Sequence, residues 1–309
     1  MVNVAVAGGT GGVGRTILDV ISTTDKHQAF VLSRKCIEND DDVIQVDYNK
    51  IDQLVAVLEA KNIHTIICCF AVEGNSLADS QLCLIQAAIR STATRRFVPT
   101  AYAIPYPQEA LQVLPQLKDY FKAIELLKES DLQWTVFLNG IFLDYFGPPE
   151  LKSHLKANVF VLDMKNHVAA IPGDGNAPVT FTYSYDLARF VVAALDLEEW
   201  QEESRVVGDT LTWHEFVAIA EEICEECPFE IHYDSVEKLK RFQITELPGH
   251  RALYVHFPKK AFQWFMSIFE MFTTDRTSCI ERSGSLNERF PEIQPLTVRQ
   301  MLIQYWGNN

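Results

Sequence analysis

Residues 2–14 read Val2-Asn3-Val4-Ala5-Val6-Ala7-Gly8-Gly9-Thr10-Gly11-Gly12-Val13-Gly14, and this stretch decides the fold. Val2–Ala7 is a short apolar run with β-branched residues, which predicts a buried strand. Val13, Ile17, Val20 and Ile21 then recur at helical spacing. Between strand and helix stand Gly8, Gly11 and Gly14, each three residues from the next. Such a turn needs a positive φ, a bare main chain that a diphosphate can approach, and close packing of helix on strand. The helix start adds free N–H groups and partial positive charge. Gly8, Thr10, Gly11, Gly12, Val13 and Gly14 are therefore the expected diphosphate-binding residues. A P-loop is excluded, because no Lys-Ser/Thr pair follows.

The alternation continues beyond this turn. Ala29–Leu32, Val43–Val46, His64–Phe70, Arg96–Pro99 and Thr135–Leu138 read as strands. Helix faces are predicted from Ile51, Leu54, Val55 and Leu58, from Ala78, Leu82, Ile85 and Ile89, and around Ile124, Leu127 and Leu132. Apolar strands alternating with helices imply a parallel sheet covered on both faces, and right-handed crossovers then leave the doubly wound α/β fold. After about residue 140 the rhythm breaks, with turn clusters at Gly147-Pro148-Pro149 and Pro172-Gly173-Asp174-Gly175. A helix is expected over Asp186–Leu195, and helices dominate from Thr212 onward. The expected division is a dinucleotide-binding domain over 1–140, joined by sheet and helix elements of 176–208. A smaller, mainly helical substrate-side region takes 141–175 and 209–309.

The second strand ends in Ser33-Arg34-Lys35. NAD-specific folds place a carboxylate there for the ribose hydroxyls. A carboxylate would repel a 2′-phosphate, whereas a guanidinium pairs with one in bidentate fashion. The expected cofactor is NADP(H), with Arg34 the main contact and Lys35 beside it. Asp47, at the end of the third strand, is placed against the adenine edge. Phe70 and Ala71 after the fourth strand should line the cofactor groove, and Thr100 and Tyr102 follow the fifth. All lie at carboxyl ends of strands, where open parallel sheets bind ligands.

Composition narrows the function classes. With 309 residues, 48% apolar and 22% charged, the chain is globular rather than low-complexity or disordered. A net charge of −14 and the lack of a long Lys/Arg run weigh against nucleic acid and anionic membrane as partners. Seven scattered Cys, two of them adjacent at Cys68-Cys69, favour free thiols in a reducing compartment. The start lacks a signal-peptide pattern, and no window holds ~18 uncharged apolar residues. A cytoplasmic location follows as the expectation. Cys224-x-x-Cys227 is a lone pair, and His250 and His256 lack ligand spacing, so no metal is expected. No G-x-S-x-G turn exists for a serine hydrolase.

With these features the sequence resembles the NmrA-like group of atypical short-chain dehydrogenases, which includes plant isoflavone reductases. The resemblance covers most of the chain. It rests on Gly8–Gly14, on Arg34, and on Arg96-Phe97-Val98-Pro99-Thr100, similar to the family's "rFiPS". It rests further on Trp134-Thr135 through Asn139-Gly140-Ile141-Phe142, on Asp144-Tyr145-Phe146, and on Pro172–Gly175 with Asp186. The resemblance implies a Rossmann domain, a small C-terminal domain, NADP(H), and a substrate cleft between the two. It implies small aromatic, polyketide or terpenoid-like substrates of secondary metabolism, and cofactor contacts from Asn139 and Phe142. Tyr102, Phe142, Tyr145, Phe146 and Trp264 are the candidate substrate residues; the aromatic set around Trp264 is as readily core. NmrA itself resembles these enzymes but binds dinucleotide as a regulator.

The usual short-chain dehydrogenase acid, a Tyr four residues before a Lys, is absent from this chain. In the isoflavone-reductase branch a single Lys on the helix before the sixth strand acts instead. Here Lys118 and Lys122 stand one turn apart on that helix. Counting back from Thr135, the family's Lys aligns near Tyr120. Lys122 is preferred, Lys118 comes second, and Tyr120 is a substitute for either. An ammonium or phenol there would stabilise oxyanion charge and donate a proton. The expected function is an NADPH-dependent reductase of a small hydrophobic metabolite, acting by hydride transfer to a carbonyl or conjugated alkene, as a monomer or homodimer. The alternatives are a non-catalytic NADP(H)-sensing regulator and a non-redox isomerase or cyclase on the same fold.

Overall fold

The computed structural model describes residues 2–35, 41–70, 76–224 and 228–307, so Ala71 and Cys227 lie outside the described residues. The chain divides into two compact units. The first comprises Met1–Tyr102, Pro107–Leu138 and Leu187–Ser204; the second comprises Ala103–Tyr106, Asn139–Asp186 and Arg205–Asn309.

The first unit is built in strand–helix alternation. Its elements are β1 (Val2–Ala7), α1 (Gly12–Ile21), β2 (His27–Ser33), β3 (Val43–Gln45), α2 (Ile51–Ala60) and β4 (Ile63–Cys68). A π-helical turn (Ser76–Gln81) then leads into α3 (Leu82–Arg90), followed by β5 (Arg96–Val98), α4 (Leu117–Lys128), β6 (Gln133–Trp134) and β7 (Val136–Leu138). Six strands form one sheet in the order β3-β2-β1-β4-β5-β6, every pair parallel. Val4–Ala7 of the central β1 are fully buried, as are Ile66, Ile67 and Cys68 of β4. Such strands can exist only under helices on both faces, which is why the sequence reads as continuous apolar runs. The order reverses beside β1: the chain first moves out to β2 and β3, then returns to build β4, β5 and β6 on the other side. Ligands bind at this reversal, outside the carboxyl ends of the strands.

The expected sixth strand is broken at Thr135. β6 pairs with β5, while β7 pairs with β12 (Glu203–Arg205). The Thr135 N–H still donates to Phe97 O (3.3 Å), but the next amide, of Val136, donates to Glu202 O (2.9 Å). The Thr135 hydroxyl donates to Ser204 Oγ at 2.8 Å and fixes the change of partner.

The second unit also carries β-structure. One three-stranded sheet holds β8 (Ile141–Phe142), β11 (Val179–Thr182) and β13 (Asp209–Leu211); the other holds β9 (Leu162–Asp163), β10 (Val168–Pro172) and β14 (Glu230–Asp234). α5 (Ser184–Ala194) follows β11. Further helices are α6 (Trp213–Ile223), α7 (Val236–Leu239), α8 (His250–Leu253), α9 (Lys259–Met271), α10 (Leu286–Arg289) and α11 (Val298–Tyr305). Phe146, Phe181, Trp213 and Phe216 form the aromatic centre of this core, with ring centroids of Phe146 and Phe216 at 4.8 Å and of Phe181 and Trp213 at 5.3 Å. Among the described residues no helix is long and apolar enough to cross a membrane.

Candidate functional site

The glycine turn leaves β1 with Gly8 at φ +81°. The Gly11 N–H donates to Gly8 O (3.0 Å), and the Arg15 N–H donates to Gly11 O (2.8 Å), which starts α1. A side chain has no room at either end of this turn. A Cβ on Gly8 would lie 2.5 Å from Cys69 O, and one on Gly14 would lie 2.5 Å from Gly8 O. Gly11 and Thr10 are exposed, so bare main chain faces outward. No side chain caps α1, and its first turn holds no acidic residue. The first-turn amides therefore have no intrahelical acceptor and stand ready for an anion. The residues present fit a dinucleotide diphosphate: a tight main-chain turn that admits no Cβ at Gly8 or Gly14, opening on the first-turn amides of α1.

Beside it, Arg34, Gln45, Val46, Asp47 and Gln53 line a cavity of about 450 Å³. Arg34 and Lys35 are exposed. The Gln45 side chain donates to Arg34 O (3.3 Å), and the Lys35 N–H donates to Ser33 Oγ (3.0 Å), which shapes the turn after β2. The carboxylate of Asp47 accepts from the Asn49 N–H at 3.0 Å. Sequence reasoning missed Tyr48. Its ring is 3% exposed, its hydroxyl donates to Leu32 O (2.9 Å), and it meets Phe70 edge-on at 5.1 Å. Burial raises its phenol well above the ordinary value. Its place directly after Asp47 at a strand end was the available signal.

On the other side of the reversal, the Cys69 N–H donates to Ala7 O (2.8 Å) and the Phe70 N–H to Thr100 Oγ1 (3.0 Å). The Thr100 N–H in turn donates to Gln81 Oε1 (2.8 Å). Tyr102 sits at φ +52°, and its ring stacks on Phe137 at 6.3 Å. It is 5% exposed, and its hydroxyl lies 3.5 Å from Cys69 Sγ. Its side chain thus belongs to the support of the β5 turn, while Phe70 and Ala101 are the partly exposed residues there. Burial pushes the Cys69 thiol up to about 12, so it is no nucleophile.

The three candidates on α4 differ in placement. Lys118 and Lys122 are exposed. Tyr120 is 8% exposed, and burial with Glu203 nearby pushes its phenol up to about 12.

In the second unit, Asn139 is fully buried. Its Oδ1 has no hydrogen-bond partner among the described residues, and its N–H donates to Ala103 O (2.9 Å). Phe146 is 1% exposed and packs within the aromatic core, which makes it a core side chain rather than a substrate wall. Phe142 and Tyr145 meet edge-on at 6.1 Å, and Tyr145 is half-buried. Trp264 is half-buried on α9, next to Phe265 and the row Phe265–Phe269. Asp144, of the same motif, accepts from Ser153 Oγ (2.6 Å), Ser184 N (2.9 Å) and Ser184 Oγ (2.6 Å), so it closes the start of α5. Among the described residues no group of three His, Cys, Asp or Glu could hold a metal ion.

Comparison with known proteins adds the chemistry. The NAD(P)H-binding family model matches residues 8–158. The chain is 35% identical over 300 residues to oxidoreductase BOA1 of Botryotinia fuckeliana, covering 96% of each chain. It is 30% identical over 335 residues to oxidoreductase swnN of Metarhizium robertsii, covering 99% of this chain and 98% of that one. The solved leucoanthocyanidin reductase–NADPH complex of Vitis vinifera superposes with a TM-score of 0.73 at 16% identity, over 98% of this chain and 99% of that one, which establishes the shared fold. The glycine turn and these full-length relatives lead to one conclusion: the chain belongs to the family of NAD(P)H-binding oxidoreductases that includes BOA1 and swnN, and it shares the isoflavone reductase fold.

Proposed function

We propose that the protein is an NADPH-dependent reductase of a small hydrophobic metabolite. The observation that carries this reading is the pairing of a side-chain-free diphosphate cradle with Arg34 in the cavity after β2. A guanidinium there attracts a 2′-phosphate, which selects NADPH over NADH. When bound, NADPH supplies a hydride and leaves as NADP⁺, while the substrate takes up that hydride and one proton, turning a carbonyl into an alcohol or saturating a conjugated alkene. The chain's own residues do the rest. The first-turn amides of α1 bind the diphosphate, Arg34 and Lys35 hold the 2′-phosphate, and Asp47 faces the adenine edge. Phe70 and Thr100 bound the nicotinamide end. The proton comes from α4, from Lys122, Lys118 or Tyr120. Phe142, Tyr145 and Trp264 supply apolar faces for a bulky substrate. The family's plant member named above as a leucoanthocyanidin reductase supports an aromatic substrate class.

The test is an assay of dihydronicotinamide absorbance against a panel of hydrophobic aldehydes, ketones and enones. Steady consumption with at least one class is expected. Replacing the proton donor should lower turnover about 100-fold with NADPH affinity unchanged. Lys122→Ala, Lys118→Ala and Tyr120→Phe are compared for this, and full activity in all three would remove the α4 mechanism. Binding of NADPH without turnover on any substrate would instead identify a sensor.

A further inference from the structure

No local sequence pattern singles out Gln81, a polar side chain near the carboxyl ends of β4 and β5. It is fully buried, at the point where the π-helical turn passes into α3. A π-turn is uncommon and concentrates at functional sites. Its Oε1 accepts the Thr100 N–H (2.8 Å), and the Thr100 hydroxyl accepts the Phe70 N–H (3.0 Å). One carboxamide thus ties α3 to the turn after β5, and through it to the turn after β4. Its Nε2 has no hydrogen-bond partner among the described residues. A buried carboxamide carries a desolvation cost that an apolar side chain of the same size would avoid.

The turn it holds is itself strained. Tyr102, two residues on, is a bulky side chain at φ +52°. It is kept there by its N–H on Phe137 O (3.1 Å), by Cys69 beside its hydroxyl and by stacking on Phe137. Strain that the surroundings over-determine belongs to places where geometry matters for function. The two turns joined here, Phe70 and Thr100–Ala101, lie at the carboxyl ends of β4 and β5. They are on the opposite side of the strand-order reversal from Arg34 and Asp47. In doubly wound sheets the two halves of a dinucleotide take the two sides of that reversal. The 2′-phosphate half belongs with Arg34, so the nicotinamide half belongs here.

We propose that Gln81 is a positioning residue for the nicotinamide end of the cofactor. It acts through Thr100 to fix the Phe70 and Ala101 walls, and it touches no ligand itself. This rests on the NADP(H) reading above. A purely structural role would weaken all ligands and stability together, whereas positioning affects one half of the cofactor.

The experiment compares calorimetric affinities for NADP⁺ and for 2′-phospho-ADP-ribose, the same molecule without nicotinamide. Gln81→Met removes the hydrogen bond to the Thr100 N–H and keeps the volume, while Gln81→Glu keeps an acceptor for it. In Gln81→Met the affinity for NADP⁺ should fall about tenfold, with 2′-phospho-ADP-ribose within twofold of wild type. Gln81→Glu should recover most of the loss. Thr100→Val, which deletes the link to Phe70 alone, should show the same split and serves if Gln81→Met does not fold. Equal losses for both ligands, or no loss for either, would overturn the proposal. A wild-type protein that binds neither would remove the cofactor reading, and the proposal with it, before any variant is made.

Discussion

The polar groups singled out in the two units differ in where they stand. In the first, the groups proposed for recognition are main chain and exposed charge: the exposed Gly11, and Arg34 and Lys35 in solvent. In the second, charged groups are drawn inside. Asp234 is fully buried and accepts from Lys238 Nζ (2.6 Å), Thr245 Oγ1 (2.6 Å) and Thr245 N (2.6 Å). Glu270 is 2% exposed, with Oε2 unpartnered among the described residues. The difference separates two uses of polarity. Exposed donors and charges act on a ligand, and their loss changes affinity. Buried carboxyls act on the fold, and their loss changes how stability depends on pH.

The sharpest way to break this contrast is at Gly14. A Cβ there meets Gly8 O at 2.5 Å and Gly9 Cα at 2.9 Å, both main-chain atoms that cannot move aside. Gly14→Ala must therefore push the start of α1 away from the turn. NADPH affinity should fall at least about 100-fold, roughly 2.7 kcal/mol. Gly11→Ala is the control, because its Cβ stands 3.3 Å from Gly8 O, a contact that a small shift relieves. Calorimetric titration of both variants decides. Equal, small losses would mean that the turn is a bend and not a cradle.

Arg34→Ala comes next. A charge-assisted pair is worth about 1.5–3 kcal/mol, so NADPH affinity should drop roughly 10- to 100-fold. NADH, which lacks the 2′-phosphate, should bind the variant as it binds the wild type. Equal loss for both cofactors would take Arg34 out of 2′-phosphate recognition and return it to the solvated loop.

These two positions also mark what a single sequence makes legible. Glycines that must be glycines leave a spacing, which the structure matches at Gly8 and Gly14, and a missing carboxylate at the end of β2 leaves a charge signature, which the Arg34 variant tests. The doubly wound parallel sheet was legible in apolar runs alternating with helix faces, while the strand order comes from the structure. Thr135 could not be read, because an exchange of strand partner there depends on Ser204, far along the chain. β14 was missed for a different reason. Glu230 and Ile231 are both exposed, so its burial does not alternate and no period-2 signal exists. Tyr48 and Gln81 act through bonds to Leu32 and Thr100, which no local pattern encodes. On α4, spacing put Lys118, Tyr120 and Lys122 forward together, and only the packing separates the buried phenol from the two exposed ammonium groups.

Glu270 tests the other side of the contrast. Burial raises its carboxyl well above the ordinary 4.5, and the neighbouring Asp234 adds to the rise. The unfolded chain loses this proton near the ordinary value, while the folded chain keeps it to higher pH. Through that window the folded state binds more protons, so stability declines as pH rises. Glu270→Gln retains shape and removes the titration. Its thermal midpoint should exceed that of wild type at about pH 8, and the gap should close towards about pH 5. NADPH affinity should not move. A midpoint difference independent of pH would show that the carboxyl is charged in the fold, with a partner stronger than burial.

The smallest effect is expected at Tyr48, where the two uses of polarity meet. Its hydroxyl donates to Leu32 O at 2.9 Å inside the first unit, beneath the turn that carries Arg34. Tyr48→Phe keeps the edge-on contact with Phe70 and leaves the Leu32 carbonyl without that donor. The cost should be about 1 kcal/mol, a fall of roughly 2–4 °C in Tm. If buried polar groups serve the fold in both units, NADP⁺ affinity stays within about twofold of wild type. A loss of affinity larger than the loss of stability would mean that this hydroxyl sets the position of Arg34. The division between exposed recognition and buried support would then run through the first unit itself, because a buried hydrogen bond would be tuning a charge that stands in solvent.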